Sequence, residues 1–347
     1  MPASDGYTFE LDDGVTRTPV RYGNRFGIEI AGDLYVPTNA SGKLPALAVS
    51  GPFGAVKEQA SGLYANEFAR RGFVALAFDP SFSGESGGEV RDVASPEIYT
   101  EDFSATVDFL GLQEIVDRER IGLQAICGLS GMAITAATAD SRIKAVATAS
   151  MYDMSRSISC GHQDSYTPGQ RREVIDHYSR QRWVDAENGT YARGYHEVPF
   201  DDDGNIVTGD RILPEALSEG ADPVTSSFFD YYRTDRGYHP RSVNSNTAWT
   251  ATTPASFFAF PLLARLDEIT APVLLAAGAE AHSRYYSEDV HSEAPKNTEL
   301  IIVPGADHVD LYDRKHLIPF DRFEAFFLDY LKEKDLGPSS RVTVSRG

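Results

Sequence analysis

Residues Arg120–Ala139 read RIGLQAICGLSGMAITAATA, and the fold turns on how this stretch is parsed. Ile121–Ile126 is an apolar run with strand character. Cys127-Gly128 breaks it. Leu129, Met132, Ala133, Ala136 and Ala137 then recur at helical spacing. Strand, sharp turn and small-residue helix is the layout of a nucleophile elbow, in which the turn lifts a reactive side chain off the sheet. Cys127 and Ser130 are the two residues here able to attack an electrophile. The turn brings strand and helix backbones together, so small residues are expected two positions either side of the nucleophile. Cys127 has Ala125 before it and Leu129 after it; Ser130 has Gly128 and Met132. Neither completes G-x-[S/C]-x-G. Strand length favours Cys127, which follows Ile126 directly and opens the helix with Gly128. At a helix N-terminus, near an imidazolium, its thiolate is expected to be stabilised. The competing readings are a small buried core cysteine and a first-turn serine bonding backbone amides.

On either side, strand and helix signals alternate. Pro45–Ser50 (PALAVS), Val74–Phe78 and Ile143–Ala149 read as buried strands. Leu63–Arg71 and Asp102–Leu110 read as helices. Repeated βαβ units imply a mostly parallel sheet covered by helices on both faces. Ahead of them, YTFEL (7–11) and Ile28–Val36 alternate like antiparallel strands. The alternation stops after residue 150 and resumes with Pro272–Ala277, Glu299–Val303 and a final helix over Pro319–Lys332. The segment between holds helix-like pieces at Gly169–Val184 and Ala221–Arg233. The expected organisation is a core of residues 1–150 and 266–335, a helical cap inserted at 151–265, and a flexible tail at 336–347. An insertion there covers the C-terminal strand edge, where open α/β sheets bind ligands.

Composition narrows the function classes. The 347 residues carry a formal charge of −19, which argues against nucleic acid or an anionic membrane as partner. Two cysteines make no disulfide framework. No basic N-region precedes an apolar run, and no apolar stretch approaches about 18 residues, so a cytoplasmic location is expected. GxGxxG, HExxH and paired CxxC motifs are absent, so neither cofactor nor metal is expected. The expected partner is a small-molecule substrate, with a homodimer left open.

His308, in VPGADHVDLYD past the last apolar strand, is placed to take a proton from an elbow nucleophile. A carboxylate should orient it. Glu280 follows the strand Pro272–Ala277, and Asp153 follows Ile143–Ala149. An oxyanion needs two backbone N–H donors. One is Gly128 behind Cys127, or Gly131 behind Ser130. The other is Phe53 or Gly54 in SGPFG, because Pro52 has no N–H.

The elbow Ala125-Ile126-Cys127-Gly128-Leu129 resembles the G-x-C-x-G elbow of the dienelactone hydrolase group. FGAVKEQASGLY (53–64), AEAHSRYYSE and PGADHVDLYD resemble a bacterial branch of hydrolases near that group. Over roughly residues 25–335 the chain is similar to an α/β-hydrolase. The resemblance implies the α/β-hydrolase fold, Ser/Cys–acid–His machinery, and action on esters and lactones. Ala125 and Leu129 replace the group's flanking glycines, and its usual aspartate is missing. The expected function is a cofactor-free hydrolase of a carboxylic ester, lactone or thioester. The alternatives are a lyase, isomerase or cyclase using His308 as base, and a non-catalytic binding protein.

Overall fold

Ala46 and Ala48 face one side of their strand, Leu47 and Val49 the other, and all four are fully buried. Burial on both faces is why such strands appear in sequence as continuous apolar runs. The computed structural model describes residues 6–332 and sets these runs in an eight-stranded sheet. In chain order the strands are β1 (Val15–Gly23), β2 (Glu29–Pro37), β3 (Leu44–Ser50), β4 (Val74–Phe78), β5 (Val116–Ile126) and β6 (Ile143–Ala149). A small separate ribbon follows, β7 (Arg193–Gly194) with β8 (Trp249–Thr250), and then β9 (Val273–Gly278) and β10 (Thr298–Val303). The sheet order is β1-β2-β4-β3-β5-β6-β9-β10. The β1–β2 and β2–β4 pairs are antiparallel and the rest parallel.

Helices Pro96–Gly111, Leu129–Ala139 and Arg284–Glu293 cover one face of the sheet. Ala60–Ala69 and Phe320–Tyr330 cover the other. Every residue of Ala60–Ala69 is buried. Its Tyr64 and Phe68 rings lie 4.9 and 6.0 Å from Phe320, and Phe68 lies 5.7 Å from Phe327. Aromatic burial of this kind fixes where the C-terminal helix closes the fold.

The strands expected at Val74–Phe78 and Ile143–Ala149 form with those limits. YTFEL does not form a strand. Tyr7 and Phe9 are buried, but the Thr8 N–H bonds to the Glu58 carbonyl instead of joining a ladder. The edge strand on this side of the sheet is VTRTPVRYG. Its polar residues and Pro19 mask it in sequence, and an edge strand tolerates both.

β6 and β9 are parallel neighbours, with Val146 opposite Val273, so all the chain between them is inserted at one point of the sheet. This insert carries helices Met154–Cys160, Pro168–Asn188, Pro223–Tyr232 and Pro254–Ala259. Their starts are locally encoded. Thr167 and Gln170 form a reciprocal capping box with Pro168 at the first helical position, and Asp222 caps the helix that begins with Pro223. The tail expected at 336–347 lies outside the described residues. No helix among the described residues is long and apolar enough to cross a membrane.

Candidate active site

β5 ends at Ile126 and the next helix starts at Leu129. Cys127 between them has φ of +56°. A non-glycine residue held there costs about 1–3 kcal/mol and persists only where the surroundings impose it. Here the Cys127 N–H donates to the Ala149 carbonyl at 2.9 Å, and its carbonyl accepts from the Tyr152 and Ser130 N–H groups, both at 3.1 Å. The close approach falls on Gly128, where a Cβ would sit 2.5 Å from Phe53 Cβ and 2.9 Å from Met154 Sδ. That is why Leu129 is tolerated two positions after the cysteine. It is fully buried in the core beneath the turn.

The sulfur faces three polar groups, the backbone N–H groups of Phe53 and Gly128 and the Tyr312 hydroxyl, each of which favours its thiolate. Phe53 is itself held by the insert. Asn244 Nδ2 donates to its carbonyl at 2.7 Å, and Trp249 packs 4.3 Å from its ring. Gly54, the other donor candidate, has φ of +87° with its carbonyl bonded by Ser242 Oγ. A Cβ on it would meet Asn244 Oδ1 at 2.5 Å.

Ser130, by contrast, is fully buried inside the helix, does not line the cavity described below, and its Oγ has no hydrogen-bond partner.

His308 is buried in the loop after β10. Its Nε2 lies 2.9 Å from the Tyr312 hydroxyl and its Nδ1 2.6 Å from Ser283 Oγ. Ser283, His308 and Tyr312 therefore form one hydrogen-bonded chain, which ends beside the Cys127 sulfur. Tyr312 lies four residues past His308, on the short helix Asp310–Asp313 that follows the His308 turn. Its ring is fixed edge-on between Tyr231 at 5.2 Å and Tyr232 at 6.3 Å.

Neither expected carboxylate reaches His308. Glu280 is exposed in the turn that follows β9. Asp153 caps helix Met154–Cys160, accepting from the Ser155 and Arg156 N–H groups and from Ser155 Oγ. Ser283 stands where the acid was sought. Sequence reading missed Tyr312 and Ser283 because neither is a charged group. The available signals were the four-residue step from His308 to Tyr312 and the position of Ser283 just past β9.

The thiol is not depressed as expected. Burial pushes it up to about 11, outweighing the Tyr312 hydroxyl and the Phe53 and Gly128 N–H groups, which pull it down. Burial, and after it the neighbouring His282 ring, hold His308 well below the usual imidazole range. The two rings lie 4.9 Å apart. The resting pair is thus a neutral thiol and a neutral imidazole.

Cys127 opens into a cavity of about 370 Å³. The core contributes Phe53, Cys127, His282 and Tyr312 to its wall, and the insert contributes the rest, including Tyr152, His196, Glu197, Phe228 and Tyr232. Of the insert's other aromatics, Trp249 backs Phe53, while Trp183 is exposed. Among the described residues no cluster of three or more His, Cys, Asp or Glu could hold a metal ion.

Gly278, the last residue of β9, supports the His308 loop. A Cβ there would lie 2.3 Å from the Ala306 carbonyl oxygen and 2.6 Å from that of Asp307. Gly278→Ala must move this loop. A displacement of about 1 Å in a catalytic group costs about a hundredfold. Steady-state kinetics should show a loss of kcat/KM of that order in a chain that still folds.

A mostly parallel sheet with a nucleophile candidate at its strand–helix elbow and a histidine past its last strand defines an α/β-hydrolase. The chain belongs to the X-Pro dipeptidyl-peptidase (S15) family, whose model matches residues 27–310. It is 51% identical over 326 residues to the Pseudomonas aeruginosa "Uncharacterized protein PA2218", covering 93% of this chain and 83% of that one. The crystal structure of PA2218 superposes with a TM-score of 0.87 at 50% identity, over 95% of this chain and 98% of that one. A shorter match, 38% identical over 120 residues, is to the thiohydrolase aneE of Aspergillus aculeatus, covering 35% of this chain and 37% of that protein. The α/β hydrolase GrgF from Penicillium sp. sh18 shares the fold, with a TM-score of 0.71 at 19% identity over 91% of this chain and 99% of that one. The likeness of the elbow to the dienelactone hydrolases rests on sequence alone.

Proposed function

We propose that the protein hydrolyses acyl thioesters and activated carboxylic esters through a covalent intermediate on Cys127. The observation that carries this is the strained φ of Cys127, with its sulfur against the Phe53 and Gly128 N–H groups. Those two donors lie where the carbonyl oxygen of a substrate attacked by the sulfur becomes an oxyanion, and removal of one such donor costs about 3–4 kcal/mol.

The proton path runs through Tyr312. The thiol donates to the Tyr312 oxygen and the Tyr312 hydroxyl donates to His308 Nε2, while Nδ1–H of that tautomer donates to Ser283 Oγ. As sulfur attacks the acyl carbon, Tyr312 passes its proton to His308 and takes the one from Cys127. The proton then returns through Tyr312, whose side chain lines the cavity, to the leaving thiolate or alkoxide. Water attacks the acyl-cysteine by the reverse relay, releasing the acid and restoring the thiol. A direct base role for His308 on a bound substrate has less support, because His308 does not line the cavity and its Nε2 is engaged by Tyr312.

Leaving-group chemistry favours thioesters over the amide bonds suggested by the family's name. The thiol expelled from a thioester matches Cys127 as a leaving group, so collapse of the tetrahedral intermediate goes forward. An amide must have its nitrogen protonated first, or Cys127 is expelled instead. The thiohydrolase relative points the same way.

The test is one series of leaving groups. S-phenyl thiohexanoate should be hydrolysed faster than 4-nitrophenyl hexanoate, and a Gly-Pro anilide not detectably. Fastest turnover of the anilide would overturn the proposal.

Two further results are expected. Tyr312→Phe keeps the ring and removes the relay, and should lower kcat by about a hundredfold or more with little change in KM. The pH profile of kcat/KM should be flat from about pH 6 to about pH 9. Its acid limb is protonation of His308, displaced downward, and its alkaline limb is ionisation of Cys127, displaced upward. A rise through the ordinary thiol range would mean that a free thiolate attacks.

A further inference from the structure

The wall of the cavity holds a carboxyl group that the hydrolytic machinery does not use. Glu197 comes from the insert and faces the same space as Cys127. Its side chain is bonded by Ser157 Oγ. Its surroundings are rings: its charge acts on Tyr152, Tyr166, Tyr285 and Tyr286 as well as on Cys127. No lysine or arginine lines the cavity. With no cation beside it, burial pushes Glu197 up to about 7.

We infer that Glu197 selects the acyl group, admitting uncharged chains that carry a hydroxyl and rejecting chains that carry a carboxylate. This deepens the hydrolase reading above and rests on it. A hydroxyl both donates and accepts, so it satisfies Glu197 whether ionised or protonated. The basic groups lining the cavity are the imidazoles of His162, His196 and His282, the last two pushed down to about 4 by burial, so a carboxylate against Glu197 would find no lysine or arginine and one of the two would have to take up a proton. An ammonium would lose its hydration for Glu197, itself only partly ionised near neutrality, because Asp222, the other carboxylate in the lining, is exposed and caps the helix Pro223–Tyr232. A plain alkyl chain fits the rings but leaves Glu197 without the partner that water gave it.

Protection of Cys127 from iodoacetamide tests this without needing turnover. The alkylation rate is followed by peptide mass, which separates Cys127 from Cys160. The probes are hexanamide, 6-hydroxyhexanamide, 6-aminohexanamide and adipamate. The hydroxyamide should protect at the lowest concentration, and adipamate should need about a hundredfold more. In Glu197→Gln the gap between adipamate and the hydroxyamide should shrink to about tenfold or less, because the repelling charge is gone. Equal protection by adipamate, stronger protection by the aminoamide, or a gap unchanged in Glu197→Gln would each overturn the inference. Failure of the hydrolase reading is seen separately, as wild-type protein that turns over none of the esters.

Discussion

Replacing Cys127 with alanine is expected to reduce thioester hydrolysis by about four orders of magnitude or more, to the level of the two N–H donors and binding alone. The sulfur is the only cavity-lining group that combines nucleophilic chemistry with both donors and the relay to His308. Ser130→Ala is the matched control. Its hydroxyl is buried and unpartnered in the helix, so its removal should change kcat/KM by about threefold or less and leave folding intact. Cys127→Ser is informative between the two. A serine at the same φ keeps the geometry but loses the polarizable sulfur, and a buried hydroxyl is a weaker nucleophile than a thiol without an acid behind the histidine. It should retain more activity than alanine on the nitrophenyl ester and little on the thioester.

Replacing Lys57 with methionine is expected to cost about 3–5 kcal/mol of stability, because it strands several buried carboxylates. Lys57 is 3% exposed. Its Nζ pairs with Glu58, with Glu85 at 3.2 Å and with Asp33 at 3.9 Å. Asp33 also accepts from the Tyr7 hydroxyl at 2.7 Å, and Glu58 from Arg241 of the insert. The buried Asp79 carboxylate accepts from the Lys57 and Glu85 N–H groups at 2.7 and 2.8 Å. The cluster ties the loop after β3, which carries Phe53, to the loop after β4 and to the insert. The oxyanion donor should therefore suffer with the fold.

The pH dependence has a definite sign. Burial, then the Glu58 charge, raises Asp79 above the usual carboxylate range, with Lys57 opposing, and burial likewise raises Asp33. A carboxyl raised in the folded state contributes stability that is fully present below its unfolded value and is lost as pH rises through the folded value. Without Lys57 this behaviour grows. The gap in Tm between wild type and Lys57→Met should be largest near about pH 8 and shrink toward about pH 5. A gap that widens on acidification would show that Lys57 is not the group holding these carboxylates.

How much of this was legible in the sequence depends on how local each feature is. Val74–Phe78 and Ile143–Ala149 announce themselves as apolar runs bounded by breakers, and the sheet forms them with those ends. Strand β1 does not, because a polar edge strand with Pro19 lacks the pattern that marks a buried one. The elbow was visible as a strand–helix junction, but the choice between Cys127 and Ser130 turned on one dihedral angle and on burial, neither of which spacing encodes. His308 is marked by its place past the last strand. Its partners are not, since a search for a carboxylate passes over a serine and a tyrosine. Glu280 and Asp153 lie at suitable strand ends, yet one side chain is exposed and the other caps a helix. The cavity is assembled from parts of the insert far apart in sequence, so only the folded chain brings Glu197 to Cys127.

The central claim is that acyl groups pass through the sulfur of Cys127. Rapid acid quench during turnover of S-phenyl thiohexanoate, followed by mass analysis of the peptide spanning residues 121–142, tests it most directly. A hexanoyl adduct on Cys127 that forms and decays at the rate of turnover is the predicted result. A hexanoyl adduct on Ser130, or undiminished turnover by Cys127→Ala, would contradict it.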